Sequence, residues 1–144
     1  METLPPLEEG AETEDEPFHF AYSATLRIFG ESLDFEAISA ALGLLASNTH
    51  RKGDPGRVRL YDADLWSYTA PLDESEPLHK HIDALWAALK PNKRYLLLLK
   101  QRATVDVFLG YRSDCEWAGV EVPHSSLELF TQLEIPFGLS IVIA

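Results

Sequence analysis

Cysteine is almost missing from this 144-residue chain: Cys115 stands alone, which excludes an internal disulfide. That usage is the pattern of a reducing compartment, so a cytoplasmic location is expected. No apolar run approaches the ~20 residues needed to span a bilayer. The start, Met1-Glu2-Thr3-Leu4-Pro5-Pro6, has neither the basic residues nor the apolar stretch of a secretory leader. Positive charge is scarce too: 12 Lys and Arg stand against 23 Asp and Glu, for a net charge of −11. Residues 1–17 carry seven of those acids and no Lys or Arg. The acidity therefore belongs mostly to this leading stretch, and the rest of the chain is only mildly negative. A nucleic-acid partner is not expected, since phosphate backbones are held by concentrated positive surface.

What is present reads as one α+β domain, residues 18–144, behind an acidic tail. Residues 1–17 combine Pro5, Pro6 and Gly10 with seven acids and few large apolar groups, too little burial to offset the entropy of ordering them. From Phe18 the pattern changes. Phe18, Phe20, Tyr22, Ala24, Leu26 and Ile28 alternate with polar residues, the period of a strand with one buried face. Asp34 is placed to cap a helix bearing Phe35, Ile38, Ala41 and Leu42 on one side, with Gly43 to end it. The polar, glycine-containing stretch 48–57 reads as an exposed loop with its glycines at positive φ. A strand centred on Trp66 follows, over Asp64 to Thr69.

A second helix, starting near Asp73 or Ser75 with Pro77 in its first turn, aligns Leu78, Ile82, Leu85, Trp86 and Leu89 until Pro91 stops it. Tyr95–Leu99 and Val105–Tyr111 are expected as an antiparallel hairpin around Gln101-Arg102-Ala103. A short strand is expected from Trp117 to Val122. Ser125 and Glu128 have the spacing of a capping box, opening a third helix with Leu127, Phe130 and Leu133 inward. Phe137 to Ile143 forms the last strand. This order predicts a mixed, mostly antiparallel sheet with about three helices on one face, a variant of the ferredoxin-like arrangement.

The loop His50-Arg51-Lys52-Gly53 is the leading candidate for ligand binding, because two cations, a histidine and glycine-exposed N–H groups suit a phosphate or carboxylate, with Trp66 packed nearby. Its spacing is not that of a nucleotide-binding loop, and the plainer account is a solvated basic turn made by Gly53-Asp54. His79 and His81 stand two apart on a helix and point to different sides, so no metal is expected there. His81 is expected half-buried at the edge of the apolar stripe. Cys115 lies between Asp114 and Glu116, carboxylates that oppose a thiolate nucleophile. His124 belongs to no nucleophile elbow, and Ser125 and Ser126 read as caps. Of the aromatics Trp66, Tyr68, Trp86, Tyr111 and Trp117, most fall on faces assigned to the core.

Gly30 with Leu33-Asp34, the helix end Leu42-Gly43, the loop His50-Arg51-Lys52-Gly53-Asp54, Trp66 and the helix bearing His81 together resemble an uncharacterised bacterial family, domain-of-unknown-function family 4279. The resemblance covers most of residues 20–143. It implies a small bacterial domain and supplies no reaction, cofactor or catalytic residue.

With no matched acid, base and nucleophile, the expected function is non-catalytic binding of a protein partner, with an immunity-like role, in which acidic surface masks a basic toxin, as a special case. No cofactor is expected. The alternative is a protein or enzyme for a small anionic ligand, using His50, Arg51 and Lys52. A third reading is homodimerisation through exposed strand edges, giving a monomer or weak homodimer. Deleting residues 1–17 is expected to change Tm by less than about 3 °C, the size of a surface perturbation in a domain this large; a thermal melt of the truncated chain checks this.

Overall fold

The computed structural model describes residues 20–115 and 119–143. The acidic stretch 1–17 lies outside them, as do Phe18 and the first two residues, 117 and 118, of the strand expected from Trp117 to Val122.

The first strand, β1 (Phe20–Gly30), follows from its alternation: Ala24, Leu26 and Ile28 are fully buried while their neighbours are not. Helix α1 (Phe35–Leu42) starts where Asp34 Oδ1 accepts from the N–H of Ala37, and it buries Ile38 and Leu42. Gly43 ends it at φ 68°, a left-handed turn that glycine adopts without penalty.

The stretch expected as pure loop contributes a short strand, β2 (Asn48–His50), paired antiparallel to β3 (Asp64–Thr69). Within it Gly53 has positive φ; Gly56 does not. The sheet pairs β3 with β1, and β1 along its length with β4 (Thr104–Ser113), all antiparallel. The last strand, β5 (Phe137–Ile143), lies parallel to β4. The order is β2-β3-β1-β4-β5, an open, mixed, mostly antiparallel sheet of an α+β fold.

Between β3 and β4 come α2 (Leu78–Leu89), a 3-10 turn at Lys90–Asn92, and α3 (Lys93–Leu99). Here the structure corrects the expected hairpin. Tyr95–Leu99 is helical, and the antiparallel partner of β4 is β1. A run of leucines has no period of its own, and leucine is a strong helix former. Pro91 occupies the first turn of the 3-10 segment, where its missing N–H costs nothing. It thus ends α2 and opens the next helical stretch. Leu96 and Leu99, three apart, then face the core.

The capping box is also corrected. His124–Leu127 forms a 3-10 turn before α4 (Glu128–Leu133), and neither start has a side-chain cap. Ser126 is buried, Leu127 is exposed, and Leu129 joins Phe130 and Leu133 inside. Residues 119–122 form no strand.

The core lies between the helices and one face of the sheet. Ala24, Leu26, Ile28, Trp66, Val105, Val107 and Leu109 meet side chains of α1 to α4 there. Each large aliphatic group removed from water contributes roughly 1.5–3 kcal/mol. The opposite face of the sheet is tied by a bidentate pair, Arg27 Nε and Nη2 donating to Asp106 at 2.9 and 2.8 Å. The Arg27 guanidinium rests against the rings of Phe29 and Phe108.

His81 is not half-buried but 1% exposed. Its Nε2 is 3.1 Å from the Glu76 carbonyl oxygen, tying α2 to the turn that precedes it, while Nδ1 has no partner. Burial pushes its pKa down, only partly offset by the Glu76 carbonyl and the nearby Glu76 and Asp73 carboxylates. A histidine held neutral stabilises the fold fully above its unfolded pKa of about 6.5, and that contribution is lost as pH falls below it. Denaturant midpoints of the wild type should therefore drop between about pH 7.5 and 5.5, with a smaller drop for His81→Gln. Equal slopes in the two proteins would contradict a buried neutral His81.

Candidate functional surface

Asp64, the first residue of β3, stands opposite Gly30, the last of β1, which sets its carboxylate beneath the turn into α1. There Oδ2 accepts from the N–H of Leu33 at 2.9 Å and from Arg51 Nη1 at 2.7 Å. Oδ1 accepts from the N–H of Lys52 at 2.9 Å. The Lys52 N–H, joined by Leu33 and Arg51, holds the Asp64 pKa below the usual carboxylate range against the opposing effect of burial. Arg51 Nη1 also donates to the carbonyl of Leu33 at 2.8 Å, and its guanidinium lies over the Phe35 ring, 3.9 Å from the centroid.

The loop closes on itself as well. Asp54 Oδ2 accepts from the N–H of Arg51, the Gly53 N–H donates to the carbonyl of Tyr61, and His50 stacks on Tyr61 at 4.3 Å. His50, Arg51, Lys52 and Gly53 are thus brought together. Trp66 is not with them: its fully buried ring is turned to the core, where Nε1 donates to Ser39 Oγ at 3.0 Å.

A cleft of about 610 Å³ runs between residues 31–34 and the Arg51–Lys52 corner. Its walls include Glu31, Asp34 and Asp64 beside Arg51 and Lys52. Three carboxylates thus face two cations, and Arg51 is already engaged by Asp64. Lys52 reaches out to within 4.0 Å of Glu31. An anion entering here would face acidic walls and only one cation not held by a buried partner. Among the described residues no group of three His, Cys, Asp or Glu is arranged to hold a metal.

The larger anomaly is at the far edge of the sheet. Phe137, Leu139, Ile141 and Ile143 share a face with Val107, Leu109 and Tyr111, their register partners and neighbours in β4, yet they are 44–60% exposed. Val142 on the opposite face is exposed as well. The helical layer stops short of this strand: Phe130 of α4 meets Phe137 with centroids 4.8 Å apart, at the strand's beginning. Among the described residues no strand pairs with its outer peptide groups either. The Val107 N–H donates to the carbonyl of Pro136 at 3.3 Å. In a parallel ladder this turns the peptide groups of Gly138, Ser140 and Val142 towards β4 and those of Phe137, Leu139, Ile141 and Ile143 outward.

Sequence reasoning identified this strand but not its exposure. The available signal was its composition, a seven-residue run, Phe-Gly-Leu-Ser-Ile-Val-Ile, with no charge and no proline. Natural edge strands are ordinarily blunted by such residues, by bulges or by shortness. The opposite edge, β2, is only three residues long.

The family described as domain of unknown function DUF4279 matches residues 20–143. The chain belongs to the DUF4279 family. The match runs from the start of β1 to the end of β5, so both the Asp64 corner and the exposed edge are parts of the DUF4279 domain. Comparison with curated proteins and with solved structures gives no match.

A carboxylate whose folded pKa is depressed contributes stability above its unfolded pKa of about 4 that is lost as pH falls through the folded value. Asp64→Asn should therefore lower Tm at pH 7 and flatten the loss of stability below about pH 4. Thermal melts of both proteins from pH 7 to pH 2.5 measure this.

Proposed function

We propose that this DUF4279 domain is a non-catalytic protein-binding module that accepts a partner strand along β5. The observation that carries the reading is the coincidence on one strand of an outward row of peptide groups, unpaired among the described residues, and exposed Phe137, Leu139, Ile141 and Ile143. Strand addition uses both: main-chain hydrogen bonds supply affinity, and side chains on alternate positions supply specificity. An immunity-like role in a bacterial cytoplasm is the special case that suits an acidic chain of this size, its net charge of −11 steering a basic partner from a distance.

The alternative, an anionic-ligand protein or enzyme working through His50, Arg51 and Lys52, has the cleft of about 610 Å³ in its favour. Against it stand the acidic walls and the engagement of Arg51 with Asp64. The two readings part in one experiment with the full-length chain as bait in its native host. Wild type should retain a stoichiometric protein that Ile141→Lys loses and Lys52→Ala keeps. No retained protein other than the chain itself would refute a foreign partner, and equal retention by Ile141→Lys would refute strand addition at β5.

A further inference from the structure

Resting on the reading of β5 as a protein-binding edge, we infer that its occupant is a second copy of this chain, paired antiparallel to β5 about a twofold axis at Ser140.

The register follows from the peptide geometry. Phe137, Leu139, Ile141 and Ile143 turn their N–H and C=O groups outward, and antiparallel strands exchange both bonds only between residues that do so. Rotation about Ser140 sets Phe137 against Ile143 and Leu139 against Ile141, so every outward peptide group meets another. It is also the register that pairs all of β5. On the helix side each apolar side chain then meets an apolar one, in the cross-strand relation that stabilises sheets. On the other side Gly138 faces the larger Val142, and Ser140 faces itself, hydroxyl to hydroxyl. The interface is isologous, as a closed dimer requires.

Charge points the same way. Nothing on Phe137–Ile143 would recognise a charged partner at close range, and nothing would set like charges opposite each other when two copies of an acidic chain meet there. The exposed apolar side chains and strand edge amount to at most roughly 1,000 Å² across the pair, the lower limit of specific interfaces, which fits a reversible dimer. Because the net charge of each copy repels the other at a distance, added salt should strengthen this dimer by screening. A complex with a basic protein would weaken instead.

The test uses the full chain. Light scattering behind size-exclusion chromatography, over a concentration series and at two salt concentrations, should show the mass doubling with concentration, more readily at high salt. Leu139→Lys and Ile141→Glu should each be monomeric alone and pair when mixed, because the lysine of one copy then faces the glutamate of the other. In a Cys115→Ser background, Ser140→Cys should form an intermolecular disulfide under mild oxidation. Non-bonded antiparallel pairs stand about 4.5 Å apart at Cα, within disulfide reach. Val142→Cys should not, since its two copies would be about 13 Å apart along the strands.

A folded monomer at every concentration, or cross-linking at position 142 as efficient as at 140, would overturn the twofold pairing. In the first case a host protein lost by Ile141→Lys would show that β5 still binds, but a different partner. The cysteine variants carry the test should the charged variants fail to fold.

Discussion

One carboxylate organises the end of the molecule where the 31–34 turn, the 50s loop and the start of β3 meet. Asp64 is nearly removed from solvent at the point where β1 turns into α1 and β3 begins, and an ionised group in such a place persists only if its oxygens are filled with donors. The chain fills them with the N–H groups of Leu33 and Lys52 and with Arg51. That requirement brings the 50s loop across to the 31–34 turn, lays Arg51 over Phe35 and shapes the cleft between the two segments. It also assigns the most conspicuous cation of the loop to structure. A basic loop that looks built for an outside anion is mostly satisfied by an inside one.

The opposite end of the sheet shows the reverse condition. Helix α2 packs across β1, and the shorter helices extend cover to the start of β5 through Phe130 and Phe137. Beyond that point apolar side chains and peptide groups of β5 have no cover among the described residues. The two edges are consequently unequal: β2 is short and followed by a loop folded back on itself, whereas β5 is long, regular and uncharged. Strand addition, as proposed, would resolve both deficits of β5 together, since a single added strand would pair the peptide groups and extend the apolar surface. Arg27, its guanidinium against Phe29 and Phe108, ties β1 to Asp106 of β4, the strand that carries β5.

Legibility in the sequence followed the length scale of each signal. Period-two alternation in β1, the cap at Asp34, the left-handed Gly43 and the stripe of α2 are local, and local physics decides them. Tyr95–Leu99 reads as a strand from sequence because consecutive apolar residues carry no period, and only the spacing of Leu96 and Leu99 against the core shows the helix. The serines before α4 have the composition of caps, but the tighter 3-10 turn moved the helix start past them and buried Ser126.

What the chain settles locally is therefore the α+β class, the position of most elements, and the charge-free character of β5, each a matter of neighbours within a few residues. Tertiary structure decided the rest. Arg51 finds Asp64 thirteen residues away, Trp66 turns from the loop to Ser39, and His81 sinks beneath the turn at Glu76. Whether Phe137–Ile143 is core or surface was likewise not written in its residues. Burial depends on how far the helices reach across the sheet, and here they cover only the beginning of β5.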